Sequence, residues 1–269
     1  MGGIEIMLTE GVINIDKPAE WTSHDVVAKL RSVLKMKRVG HTGTLDPMAT
    51  GVLLICFGPA TKMSDLLMNS EKEYEVTLRL GEDTDTQDAT GKVLRSCTPP
   101  SFSTQTLEET LSTFVGTISQ MPPIYSAKKI GGVPLYKLAR KGLDIEREPR
   151  EITIKGIRLD KVQGNDLFLT VSCSKGTYVR TLCSDIGKKL SVFGHARAIR
   201  RTRSGYFSIT SAIALTTFIE LHAKGEWENQ VVSIRDLKTF YPNTCFNGLG
   251  GATMGGDGVA PLQKERSYA

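Results

Sequence analysis

Paired metal or redox ligands are missing from this sequence. Its five cysteines (Cys56, Cys97, Cys173, Cys183 and Cys245) form no C-x-x-C pair, and its four histidines (His24, His41, His195 and His222) include no H-E-x-x-H. The spacing of a zinc knuckle, a dithiol centre or a zinc-protease helix is therefore absent, and no metal is expected. The odd cysteine count points to reduced, mostly buried thiols. Long apolar runs are missing as well. The longest, Val52 to Phe57, falls far short of the roughly 20 residues that cross a bilayer. The first residues, Met-Gly-Gly-Ile-Glu-Ile, lack the basic and apolar regions of a secretory signal, so the expected location is cytoplasmic. Neither a Gly-x-x-x-x-Gly-Lys-[Ser/Thr] loop nor a Gly-x-Ser-x-Gly elbow occurs, which argues against a P-loop enzyme and a serine hydrolase.

What is present is enough apolar material for a folded core. The chain has 269 residues, 40% of them hydrophobic, which suits one large domain or one domain with a small appendage. Positive charge is concentrated. Residues 121–150 hold seven Lys/Arg against three Asp/Glu, and residues 175–203 hold eight against one, so the rest of this +5 chain is net acidic. A further basic run, Lys29, Arg31, Lys35, Lys37 and Arg38, has no acidic residue among it. Clustered cations attract phosphate backbones, with an affinity that falls as salt rises, so the charge pattern favours RNA or DNA binding over the alternative of solvated helix faces.

Local patterning outlines the elements. Gly11 to Asp16 reads as a strand, followed by a helix that Ser23 can cap, with Val26, Val27, Leu30, Val33 and Leu34 at helical spacing. A turn-rich stretch, Gly40 to Pro47, leads into a buried strand over Val52 to Phe57. Glu73 to Leu80 alternates cleanly, with Tyr74, Val76, Leu78 and Leu80 on one face, and predicts a half-buried strand. An acidic turn over Gly81 to Gly91 precedes a helix near 104–115. Residues 124–148 look like a basic surface insertion, with a short helical piece around Leu135 to Lys141. Ile152–Leu159 and Leu167–Cys173 form a strand pair about Gly164-Asn165, and a helix runs from about Thr177 to Leu190. The basic stretch Arg197 to Arg203 leads to a returning strand at Gly205-Tyr206-Phe207. Beyond Pro242 the sequence turns glycine-rich and is expected to be loosely ordered. Strands and helices without strict βαβ order predict an α+β fold.

Asp46, between Leu45 and Pro47 in a glycine-rich loop, by itself reads better as a turn residue than as a catalytic group. The whole loop is more telling. Gly-His-Thr-Gly-Thr-Leu-Asp-Pro-Met-Ala-Thr-Gly-Val-Leu resembles the signature loop of the TruB family of tRNA pseudouridine synthases. The resemblance extends from about Gly11 to Phe207 through ordered motifs: Gly11-x-x-x-x-Asp16-Lys17-Pro18, Lys72-Glu73-Tyr74, Pro122-Pro123-x-Tyr125-Ser126-Ala127-x-Lys129, Leu135-Tyr136-x-x-Ala139-Arg140, Cys173 to Arg180, and Arg200 to Gly205.

This resemblance implies a pseudouridine synthase fold: a mixed, mostly antiparallel sheet flanked by helices, with residues 124–148 as a thumb-like RNA-binding insertion. It implies that uridine at position 55 in the T-loop of tRNA is flipped out and isomerised to pseudouridine without a cofactor; a monomer is expected. Asp46 takes the place of the catalytic aspartate, Arg180 of its partner, and Tyr74 of a tyrosine that stacks on the base. Tyr178 and Lys62 match pocket positions, and Ile199 stands where the family usually has leucine. His41 corresponds to a wedge that fills the gap left by the flipped base, although a loop histidine can also hydrogen-bond its own turn. Lys128, Lys129 and Arg140 suit phosphate contacts. The family often carries a C-terminal PUA-type domain. Here the catalytic domain is expected to span 1–242, and 243–269 to be a truncated or degenerate remnant. A catalytically silent RNA-binding or RNA-folding protein on the same scaffold is the competing reading; Asp46, Tyr74 and Arg180 together argue against it.

Overall fold

The computed structural model describes residues 8–124, 129–130, 133–134 and 147–242. The expected helical piece around Leu135 to Lys141, the side chains of Lys128, Lys129 and Arg140, and the tail 243–269 lie outside the described residues.

The chain opens with β1 (Gly11–Lys17), α1 (Ser23–Val33), β2 (Val39–His41) and β3 (Thr50–Phe57). A 3₁₀ turn over Gly58–Met63 runs into α2 (Ser64–Met68), then β4 (Lys72–Leu80), β5 (Glu82–Thr84), β6 (Val93–Ser96), α3 (Thr104–Ser112) and β7 (Gly116–Gln120). Two short strands, β8 (Lys129–Ile130) and β9 (Val133–Pro134), pair with each other inside the insertion. The second half comprises β10 (Arg150–Gln163), β11 (Asp166–Cys173), α4 (Val179–Lys189), β12 (Gly194–Ser204), β13 (Phe207–Ser208), β14 (Ile213–Ala214), α5 (Leu215–Lys224), β15 (Val231–Val232) and α6 (Ile234–Phe240).

One sheet organises these elements, in the order β14-β1-β3-β12-β4-β11-β10-β7, with β2, β13 and β15 attached at its side. All its pairings are antiparallel except β12 with β3 and β1 with β14, so the expected mixed, mostly antiparallel α+β architecture is what forms. The half-buried strand at 73–80 is β4, whose burial alternates along its length. The expected pair about Gly164-Asn165 is β10 and β11.

Three expectations need correction. Ser23 does not cap α1. Thr22 does, in a capping box with Asp25; such a cap satisfies free N–H groups of the first turn and is worth about 1 kcal/mol. Ser23 is instead drawn inward and exchanges two hydrogen bonds with the Leu45 backbone, at 2.9 and 3.1 Å. The basic stretch Arg197 to Arg203 is not a link to a strand but part of β12, a central strand between β3 and β4. Its cations hid that placement, because a central strand ordinarily reads as apolar. Finally, the acidic turn 81–91 contains β5 and starts a hairpin with β6.

The core lies between the sheet and the helices α1, α3, α4 and α5, built by Ile13, Leu30, Leu53, Leu78, Leu107, Leu182, Ile186 and Phe218. Truncating one of these to alanine removes roughly 2–5 kcal/mol. β3 is buried on both faces, because a smaller cluster with Val52, Leu54, Phe207 and Leu237 covers its other side. That rigid strand is what holds the loop preceding it.

Candidate active site

The Gly40–Pro47 loop is fastened from below. Besides the Ser23 bonds, fully buried Lys17 donates to the carbonyls of Pro18, Trp21 and Pro47, so its ammonium sits under the residue following Asp46. Burial drops Lys17 to about 8, with Asp46 acting in the opposite direction. Glu20 N–H also donates to Pro47 O at 2.8 Å.

Asp46 emerges from this platform and meets Arg180, which α4 presents on its first turn. The contact is two-pronged: Nε to Oδ2 at 2.8 Å and Nη2 to Oδ1 at 3.2 Å. A fork of this kind fixes the plane of the carboxylate as well as its charge. The arginine side chain is 5% exposed and the aspartate side chain 37%, so the acid stays partly open to solvent while its partner is enclosed. Enclosure by protein pushes the Asp46 carboxyl above its ordinary range, Asp88 adds to that rise, and Arg180 and Lys17 act against it. The loop between β5 and β6 holds the far side of Arg180: Nη1 donates to Thr86 O at 2.7 Å and lies 3.3 Å from Asp88 Oδ2. Asp88 is oriented in turn by the hydroxyls of Thr86 and Thr90 and by the Thr90 N–H. Thr181 adds a bond to Gln87 Oε1 at 2.8 Å. Arg180 is thus fixed before any substrate arrives.

Tyr74 reaches the same place from β4. It is 9% exposed, and burial raises its phenol above the ordinary value; the charge of Arg201 opposes this, while that of Asp46 adds to it. Strand register puts Tyr74 opposite Arg201 and Val76 opposite Ile199, so these four side chains share one face. Ile199 is buried there as an apolar wall. Tyr178 stands at the N-terminus of α4, its backbone clamped by the buried Gln120 side chain through bonds of 2.8 and 3.1 Å.

His41 lies at the end of β2, in edge-to-face contact with the exposed His24 at 5.3 Å between ring centres. Its Nδ1 accepts from the Gly43 N–H at 3.4 Å, the own-turn bond that its loop position allowed. Burial, aided by His24 and Arg201, lowers it to about 4, so the ring is neutral near pH 7. Lys62 lies exposed on the 3₁₀ turn after β3.

Asp46 and Arg180, far apart in sequence, are therefore in direct contact, and the charge of Asp46 acts on the Tyr74 phenol. Sequence reasoning missed four contributors: Lys17, which sits in the opening motif but received no role; Ser23; Asp88, read as part of an acidic turn; and Arg201, hidden in a basic run. Among the described residues, no group of three or more His, Cys, Asp or Glu could hold a metal ion, and no helix is long and apolar enough to cross a membrane.

Comparison with known proteins fits this geometry. Residues 31–179 match the model of the TruB family pseudouridylate synthase N-terminal domain, and residues 180–239 match that of the tRNA pseudouridylate synthase B C-terminal domain. The tRNA pseudouridine synthase B of Geotalea uraniireducens is 45% identical over 256 residues, covering 95% of this chain and 82% of that protein. The enzyme of the same name from Clostridium perfringens is 49% identical over 211 residues, 78% of this chain and 72% of that one. Among solved structures, one of a Cbf5-Nop10-Gar1 complex matches with a TM-score of 0.69 at 27% identity, over 89% of this chain and 64% of that chain. Another, an H/ACA RNP bound to a substrate RNA containing 2'-deoxyuridine, gives a TM-score of 0.64 at 27% identity, over 86% and 61%. With a family model matching more than half of its length and relatives this similar, the chain belongs to the TruB family of pseudouridylate synthases.

Proposed function

We propose that this chain isomerises uridine to pseudouridine in the T-loop of tRNA, at position 55, with Asp46 as the catalytic carboxylate. The observation that carries the proposal is the forked Asp46–Arg180 pair, whose carboxylate stays partly exposed and whose charge acts on the Tyr74 phenol. Family membership and the tRNA pseudouridine synthase B relatives support the same substrate class.

The reaction breaks the bond between ribose C1′ and uracil N1, rotates the base and joins C1′ to C5; the C5 proton leaves and N1 gains one. Every atom and electron pair is conserved, so neither an oxidant nor a group carrier is needed. Asp46 is the nucleophile or base toward the nucleoside, and it must be ionised; Arg180 favours that form and aims it. Tyr74 stacks on the base and moves a proton, and Ile199 and Tyr178 line the pocket. Extruding the nucleotide costs a few kcal/mol. His41, neutral near pH 7, fills the gap, Lys62 belongs to the pocket, and the insertion's Lys128, Lys129 and Arg140 hold phosphates. The enzyme works as a cytoplasmic monomer, with residues 1–242 as its catalytic unit.

Tritium release from tRNA labelled at uridine C5 tests this assignment. The chain should release tritium; Asp46→Asn, which keeps shape but not charge, should release none while still binding RNA. Near-normal release by that variant, or RNA binding by the wild-type chain without any release, overturns the proposal.

A further inference from the structure

We infer that Arg201 is a positioning residue for the isomerisation, tying the loop that carries Asp46 and His41 to the strand that carries Tyr74; this rests on the roles proposed above for Asp46 and Tyr74. The geometry is a three-way junction. Arg201 Nε donates to Val52 O on β3 at 2.7 Å, and Nη2 donates to Gly43 O at 3.1 Å, midway between His41 and Asp46 in the loop. Its backbone is in register with Gly51 on one side and Tyr74 on the other. The approach to Gly51 is so close that a Cβ there would meet the Arg201 carbonyl oxygen at 2.2 Å, and Gly51 has a φ of +100° that side chains resist. The positive charge of Arg201 also acts on the buried phenol of its register partner Tyr74.

A neutral donor would serve a purely structural junction at lower cost. Arg201 is 3% exposed and shares its surroundings with two other buried cations, Lys17 and Lys72, each lowered to about 8 chiefly by burial, with Asp46 opposing the fall at Lys17 and the charge of Arg201 adding to it at both. Lys72 is held by the carbonyls of Met68 and Ser70 and Lys17 by three others, and among the described residues no carboxylate pairs with Arg201. Buried like charges compensated chiefly by carbonyl dipoles oppose folding. Their use lies in the reaction. Breaking the glycosidic bond leaves electron density on the uracil ring, and a fixed positive field beside Tyr74 favours that charge without reorganisation.

The test uses the full chain with C5-tritiated tRNA, measuring RNA affinity and the single-turnover rate at saturating RNA. Arg201→Gln should bind RNA within about threefold of wild type but react about 100-fold more slowly, the scale of loss expected when catalytic groups are misplaced by about 1 Å. Arg201→Lys should recover roughly tenfold of that. In a Tyr74→Phe background, the same Arg201→Gln change should cost less than about tenfold, because the two side chains act through one another. A folded Arg201→Gln protein that loses less than about tenfold at saturation overturns the inference, as does a loss confined to affinity or one that is undiminished in the Tyr74→Phe background. Should Arg201→Gln not fold, Arg201→Lys decides on the same readouts: about a tenfold loss that shrinks beside Tyr74→Phe supports the role, and a smaller or unshrinking loss overturns it. A wild-type chain that releases no tritium defeats the proposed function itself, whereas an active wild type with an unaffected Arg201 variant defeats only this inference.

Discussion

Replacing Arg180 by lysine tests whether the fork, rather than positive charge alone, keeps Asp46 reactive. Arg180 makes two bonds to the carboxylate, at 2.8 and 3.2 Å, and is held behind by Thr86 O and Asp88. Lysine preserves one charge but cannot span both oxygens. A hydrogen bond to a charged group contributes about 1.5–3 kcal/mol. With the aspartate side chain 37% exposed, solvent screening reduces the loss of one prong to about 1 kcal/mol, or roughly fivefold in the ionisation equilibrium. The direction follows from the carboxylate being the active form. Burial already raises the Asp46 carboxyl, and losing a prong raises it further. As pH falls, Arg180→Lys should therefore lose its ionised fraction earlier than wild type. The ratio of variant to wild-type single-turnover rates should decline by about fivefold between alkaline and acidic buffers, on top of a pH-independent loss from misalignment. Rates of tritium release at saturating tRNA across about pH 5–9 measure this, with melting curves to verify folding. A rate ratio that stays flat across that range would refute the argument that the fork sets the carboxylate's charge state.

Other expectations concern the loop histidine and the chain's C-terminal segment. His41→Ala should slow the reaction by impairing flipping, and a transcript whose T-loop is already opened should partly restore the rate; absence of rescue counts against the wedge. Because His41 is lowered from 6.5 to about 4, the unfolded chain binds a proton there that the folded chain refuses. Its contribution to stability is complete above pH 6.5 and falls as pH drops toward 4. His41→Gln should lessen the acid-induced decline in melting temperature, and parallel declines would contradict the burial argument. Removal of residues 243–269 should leave the rate at saturating RNA unchanged; loss of turnover there would show that the catalytic unit extends beyond 1–242.

The sequence by itself determined the elements whose physics is local and the motifs that survive as uninterrupted words. β4 was readable because a strand with one buried face alternates with period two, and the β10–β11 pair because two alternating runs flank a Gly-Asn turn. Asp46, Tyr74 and Arg180 were each found inside a recognisable string, but no string says that Asp46 and Arg180 touch. Only the tertiary structure decided that, by seating β12 between β3 and β4 and turning the first residues of α4 toward the Gly40–Pro47 loop. The same seating turned a run of arginines, which local patterning reads as a solvated surface, into a central strand with Arg201 buried beneath the site. Its charge is satisfied there by carbonyls from residues about 150 positions away in the chain. Burial and hydrogen bonding between distant segments depend on where the chain returns, and no periodicity within a short stretch encodes that return.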